Sequence, residues 1–387
     1  MKEARRAIRR YLREADMLLL FLCLLASGIG LLLIASATRS HESGSRHFLT
    51  VQLLATAVGV ILYLVITLFD LELFTTLWPL IFVFNVVFIL SLIPFGVAGT
   101  TGNKSWLRFA GIGIQPAEVV KVTFILLVAK QMDTFRKRGI LNRPLPILSL
   151  FAHFLFMGAV ISIASSDDGM IIMYGFAFLS ILLLGELKWR WFAAAIAGLT
   201  AAIAGLYFFL PGIWDKLLSE KQRNRLIFGF NPELDPQGAG YQAILSKTAI
   251  GGGGQTGQGL FNGVQTQHGS MFAKETDFIF SVAGEELGFL GSMVILLLLA
   301  AIIIRCLYMA AKTTDPMSRL VCGGVGGMML AQTIINIGMN LAITPVIGVT
   351  LPFLSAGGSS QITMLAAMGL VSSVRMHGRV HTHRGEI

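Results

Sequence analysis

Long apolar runs, separated by short polar stretches, recur from one end of the chain to the other. A membrane-spanning helix needs about 20 consecutive apolar residues to cross a hydrocarbon core about 30 Å thick. Runs of that kind fall near 17–36, 50–69, 74–97, 115–131, 146–164, 169–186, 190–210, 278–304, 318–343 and 360–374. The pattern predicts an all-α polytopic integral membrane protein of about ten transmembrane helices. An even number of crossings returns both termini to one side.

Lys and Arg decide which side that is, because they concentrate in cytoplasmic segments. With the N-terminus inside, the inner segments carry 19 of these residues, including Arg5, Arg6, Arg136, Lys137, Arg305 and Arg375. The outer segments carry ten, spread over longer stretches. Both termini are thus expected in the cytoplasm. The domain layout follows: a basic N-terminus over 1–16, one membrane domain over 17–374 and a basic tail over 375–387. Residues 211–276 form the single long extracellular loop, between helices seven and eight. The first apolar run is too long for a typical signal-peptide core, so it is expected to stay as a span.

Composition agrees with the pattern. Hydrophobic residues make up 55% of the 387 and charged ones 13%, where soluble chains carry about 25% charge. Mean hydropathy is +0.73. The net charge of +9 reflects topology, so no nucleic-acid partner is expected. Cys23, Cys306 and Cys322 lack the spacing of a disulfide framework or a metal site and read as small buried hydrophobes.

Charges inside apolar runs are costly and mark candidate sites. The stretch "TDFIFSVAGEELGF" from Thr276 to Phe289 carries three acids at the head of a strongly apolar helix. Asp277 lies at its outer boundary, where two roles fit: a helix N-cap, or a general base at the edge of a low-dielectric cavity. Glu285 and Glu286 project in other directions around the helix and suit bonds to neighbouring helices or a partner. Glu118 and Lys121, three residues apart, meet on one helix face. They make either a self-neutralising pair or a cationic phosphate site in which Glu118 orients the lysine. "GGGGQTGQGLFNG", Gly251 to Gly263, lacks the Lys-Ser/Thr of a phosphate loop and reads as a closely packed or flexible part of the outer loop. "SAGGSS", Ser355 to Ser360, suits a helix N-terminal turn whose amides face an anion or simply cap the helix. Protease, ATP-driven pump and nucleotide-sugar signatures are missing. There is no metal motif, and a divalent cation is left as an open requirement.

Several of these stretches, in this order, resemble the SEDS family of bacterial cell-wall polymerases, the RodA, FtsW and SpoVE type. They are "SWLRFAGIGIQPAEVVKV", "NRLIFGFNPELDPQGAGYQ", "SKTAIGGGGQTGQGLFNGVQTQ", "KETDFIFSVAGEELGFLG", "NIGMN" and "PVIGVTLPFLSAGGSS". The glycine-rich loop is closer to the RodA branch. The resemblance implies a multi-pass protein of the bacterial cytoplasmic membrane that polymerises lipid II into glycan strands for elongation and cell shape. Asp277 then matches the catalytic aspartate, which takes a proton from the acceptor sugar hydroxyl while undecaprenyl pyrophosphate leaves. Candidate substrate contacts are Lys121, Glu118, Trp106, Arg108, Lys247, Asp167, Ser355, Gly357, Gly358 and Ser359. Implied partners are a class B penicillin-binding transpeptidase and other elongation-complex membrane proteins. The chain departs from the family at "SSDDG", which keeps Asp167 and Gly169 but not the preceding Gln-Pro, and at Val51 and Ala356. A lipid II flippase and a non-catalytic scaffold are the competing functions.

Overall fold

A computed structural model describes residues 2–39, 44–98, 103–109, 112–209, 220–238, 240–268 and 271–378. In chain order the helices are α1 (Lys2–Glu14), α2 (Met17–Ala37), α3 (Gly44–Thr67), α4 (Leu71–Thr76), α5 (Trp78–Leu90), α6 (Leu92–Phe95), α7 (Pro116–Lys137), α8 (Pro144–Ser165), α9 (Asp168–Leu184), α10 (Trp189–Phe209), α11 (Glu220–Phe230), α12 (Tyr241–Gly252), α13 (Val264–Gln267), α14 (Ile279–Lys312), α15 (Pro316–Asn340) and α16 (Gly358–His377). A two-stranded antiparallel hairpin, β1 (Leu107–Phe109) and β2 (Ile112–Ile114), is the one sheet among them. The protein is an all-α polytopic membrane protein.

Helices occupy all ten predicted apolar segments. Seven of them are long and apolar enough to cross a membrane, by length and composition. The segments near 115–131 and 360–374 form α7 and α16, whose faces carry more polar residues. The one near 169–186 forms α9, which is apolar but only 17 residues long. Proline opens α7, α8 and α15, where its missing N–H costs nothing and its fixed φ suits the first turn. α3 lies along α16, and α15 packs between α14 and α9. The core is buried there, while no residue in the apolar window of α10 is fully buried. All three cysteines are buried and free.

The described ends of the chain meet at one end of the bundle. Asp16 is wholly buried, caps α2 by accepting from Leu19 N, and accepts from Arg305 (Nε, 2.8 Å) and Arg375 (Nη1, 3.0 Å). Tyr63 Oη donates to the Asp16 carbonyl at 2.6 Å, and Asp16 N donates to Ser372 Oγ at 3.0 Å. The carboxylate thus ties α2, α14 and α16, and the Asp16 backbone adds α3.

Half of the described residues in the stretch expected as one long loop are helical, in α11, α12 and α13. It is also spliced into the helix that follows. Gly288 in α14 has φ 68° and ψ −166°, a region essentially reserved for glycine, and the break frees two carbonyls and two amides. The glycine-rich segment takes all four. Gln258 N and Gly259 N donate to the carbonyls of Glu285 and Glu286, while Phe289 N and Leu290 N donate to those of Gly254 and Gln255. Gly253, Gly257 and Gly288 each press on backbone where a Cβ would collide. Unpaired backbone is expensive away from water, and the exchange leaves none of the four orphaned.

Glu285 and Glu286 complete the splice. Glu285 accepts from Gln265 N (2.7 Å), Thr266 N (2.9 Å) and Thr266 Oγ1 (2.7 Å). Glu286 accepts from Phe261 N, Gly263 N, Gln267 Nε2 and Ser36 Oγ. The buried Lys274 Nζ donates to the Thr266 carbonyl. The acids thus bond to the short helix α13, to Ser36 of α2 and to the backbone of Phe261 and Gly263 just before α13. Residues 289–312 alone would extend about 36 Å as a helix, enough to cross the core. The two glutamates accordingly sit at the loop end of the crossing, which explains how an apolar run tolerates them.

Candidate active site

Asp277 lies in the turn before α14, and its backbone is firmly held. Phe278 takes the cap position of α14 and has no side-chain cap bond, so Asp277 stands one residue outside the place a capping aspartate would occupy. Three consecutive carbonyls are pinned. Glu275 O accepts from Ala356 N at 2.8 Å, Thr276 O from Ser355 Oγ at 2.6 Å, and Asp277 O from Asn336 Nδ2 at 2.9 Å and Asn340 Nδ2 at 3.0 Å. Asn336 and Asn340 are fully buried. Asn336 Nδ2 also donates to Val349 O, and Asn340 Oδ1 accepts from Ser281 N and Oγ. The carboxylate itself is partly exposed. Rigid anchoring of the main chain with an accessible side chain is what a positioned base requires.

The segment 346–357 separates Asp277 from a second polar group. Gly348, at φ 73°, leaves room beside Asp277: a Cβ there would lie 3.6 Å from Asp277 Oδ2. On the other side, a Cβ at Gly169 would meet the Ile347 carbonyl at 2.6 Å. There Asp167 caps α9 by accepting from Met170 N, and accepts from Gln115 Nε2 at 2.9 Å. Burial, the largest influence, pushes its carboxyl up to about 6, against the bonds from Met170 and Gln115.

Lys121 is 1% exposed and pairs with Glu118 at 2.5 Å. Its Nζ also donates to Gln332 Oε1 at 3.3 Å, and Gln332 Nε2 donates to Thr350 O and Oγ1. The chain of contacts runs on to Ser360 Oγ, 3.3 Å from Thr350 Oγ1. The lysine is therefore wired to the 346–357 segment from below.

Other candidates are placed differently. Ser359 Oγ accepts from Gln115 N and donates to Gly113 O, fastening α16 to the hairpin. The amides of Ala356 and Gly357 are engaged, the first by Glu275 O and the second by Gln52 Oε1. Of the expected anion-binding turn, only Gly358, Ser359 and Ser360 head a helix. Trp106 packs its ring over Gly113, while Arg108 on β1 and Lys247 on α12 are exposed. The residues missed as functional are Gln52, Gln115, Gln332, Asn336 and Asn340. Asn336 and Asn340 had a signal, since a spacing of four places two amides on one helix face.

This arrangement defines a class: a polytopic membrane protein with a carboxylate seated at the loop end of a broken helix, above a buried lysine and a second, raised carboxyl. The family model described as "Cell cycle protein", covering FtsW, RodA and SpoVE, matches residues 16–380, and the chain belongs to that family. It is 33% identical over 328 residues to the peptidoglycan glycosyltransferase MrdB of Escherichia coli K12, covering 85% of this chain and 84% of the relative. It is 30% identical over 436 residues to the peptidoglycan glycosyltransferase RodA of Treponema pallidum, covering 94% and 98%. A solved peptidoglycan synthase complex, described as coordinating polymerization and crosslinking, contains a chain of the same fold, with TM-score 0.75, 24% identity and coverage of 93% and 97%. The chain is a multi-pass protein of the bacterial cytoplasmic membrane, and its likeness to the RodA branch holds.

Proposed function

We propose that the protein is a peptidoglycan glycosyltransferase that polymerises lipid II at the outer face of the cytoplasmic membrane. The observation that carries this reading is the seat of Asp277: three pinned carbonyls under a partly exposed carboxylate. The carboxylate takes the proton of the acceptor GlcNAc 4-hydroxyl as that oxygen bonds to the donor MurNAc anomeric carbon. The anomeric carbon–phosphate oxygen bond breaks with inversion, and undecaprenyl pyrophosphate leaves with the electron pair. Developing negative charge on the leaving group calls for cations and amide dipoles. Arg108 and Lys247 supply cations from the surface, the head of α16 supplies amide dipoles, and Lys121 supports the site from within. An apolar cavity of about 310 Å³, lined by Ile250, Phe280, Phe289 and Leu296 among others, lies against the first turns of α14 and suits part of a polyprenyl chain.

Ten crossings, cytoplasmic termini and the three-part layout of 1–16, 17–374 and 375–387 belong to the same proposal. Within it, the partner is a class B penicillin-binding transpeptidase, together with other elongation-complex proteins. Residues 379–387 of the basic tail lie outside the described residues.

Purified protein supplied with lipid II in detergent tests the reading. Wild type should form glycan strands, whereas Asp277→Asn should form none at an unchanged melting temperature. Polymer from the Asn variant would sink the base assignment. Movement of lipid II across vesicles by wild type without any polymer would favour a flippase, and neither activity would favour a scaffold.

A further inference from the structure

A second cavity, of about 550 Å³, opens between α5, α7 and α8 at the opposite end of the bundle from Asp277. Its position is fixed by Lys130, which also lines a polar cleft with Asp70, Asp315 and His377, at the end where both described termini meet. The cavity is built in two parts. Trp78, Phe82 and Phe156 form an apolar wall, with Phe82 and Phe156 stacked at 5.9 Å. Lys130 and Arg138, two turns apart on or just past α7, stand at the polar side. Lys130 is half-buried and Arg138 exposed.

Between the two parts lies an unfinished polar group. His153 sits edge-on to Phe82 and Phe124, and its Nδ1 is 2.9 Å from Gln131 Oε1. Gln131 is itself held, donating from Nε2 to Ser149 Oγ at 2.9 Å. His153 Nε2 is enclosed yet has no hydrogen-bond partner among the described residues. A buried ring nitrogen without a partner carries an unrepaid desolvation cost, so a ligand group that exchanges a hydrogen bond there is favoured. It must also offer apolar chain to the aromatic wall and negative charge to the cations.

We propose that this cavity is a binding site for an anionic glycerophospholipid of the inner leaflet. The phosphate lies between Lys130 and Arg138, the glycerol region reaches His153 Nε2, and an acyl chain runs over Phe82 and Phe156. Basic pockets between transmembrane helices at the cytoplasmic side recognise anionic head groups in this way, and the site is separate from the proposed polymerase chemistry.

Native mass spectrometry of the full-length protein, titrated with phosphatidylglycerol or phosphatidylcholine of identical chains, tests the assignment. Wild type should hold phosphatidylglycerol about tenfold more tightly than phosphatidylcholine. The Lys130→Gln/Arg138→Gln variant should lose that preference, while Lys130→Arg/Arg138→Lys should keep it, with all three melting together in lipid-free detergent. His153→Phe should weaken retention of both lipids by filling the site. Equal affinity of wild type for the two lipids would overturn the proposal. So would a preference that survives in the double Gln variant, or stronger retention of a polyprenyl phosphate than of phosphatidylglycerol at this site.

Discussion

Two carboxyl groups and a lysine around one loop have different electrostatic duties, and single substitutions separate them. Removing Lys121 alone strands Glu118 in the interior, and breaking a buried pair of this kind costs about 3–5 kcal/mol. Lys121→Met should therefore lower the melting temperature, and Glu118→Gln/Lys121→Met should recover most of the loss. Lipid II affinity should not recover in the double variant if the ammonium serves the leaving group, whereas Lys121→Arg should keep part of it. Recovery of affinity along with stability would leave the pair purely structural. Asp167 makes a pH-dependent prediction. Its folded-state carboxyl titrates near 6 and the unfolded one near 3.8, so the native state holds the proton more tightly. The contribution to stability is present at acid pH and is lost as pH rises through about 6. Comparing melting temperatures of wild type and Asp167→Asn between pH 4 and 7 should show wild type falling relative to the variant. At this scale Asp277, Glu118 and Lys121 were legible because charge in an apolar run stands out. The glutamines that hold the loop were not, because neutral amides raise no such contrast, and Asn336 and Asn340 showed only through their spacing of four.

The broken helix is the element on which the site is mounted. The main chain exchanges its hydrogen-bonding partners at Gly288, and the glycine-rich segment occupies the gap. Gly288→Ala would force a side chain into a glycine-only conformation, at a cost of about 1–3 kcal/mol from strain alone. The new Cβ would also strike the backbone of Gly257. A reduced melting temperature is expected, together with new cleavage within 254–265 under limited proteolysis. Unchanged protection of that segment would contradict the splice. Apolar periodicity foretold one helix from 278 because it registers burial and cannot register where the backbone opens. The glycines were visible as a cluster, yet their partner carbonyls lie more than 20 residues away.

At the scale of the molecule, Asp16 joins the beginning of the chain to its end. Asp16→Ala would leave Arg305 and Arg375 without their shared acceptor. Both arginines keep some contact with solvent, at 21% and 35% exposure, so the expected loss is about 2 kcal/mol. A thermal shift in detergent measures it, and Asp16→Asn should lose less, because the amide oxygen still accepts. No change in the alanine variant would mean that packing of α3 against α16 closes the bundle unaided.

The amino-acid sequence by itself determined the solvent this chain folds in, the apolar segments that become helices and the charged residues around which chemistry can occur. Those follow from local free energies: each apolar run gains on leaving water, and each buried charge declares its cost wherever it falls. Tertiary structure alone decided that the glycine-rich loop closes a break in α14, that Glu285 and Glu286 clasp it, and that Asn336, Asn340 and Ser355 hold the turn carrying Asp277. The reason is that backbone amides and carbonyls are the same at every residue, so which of them meet depends on the path of the whole chain.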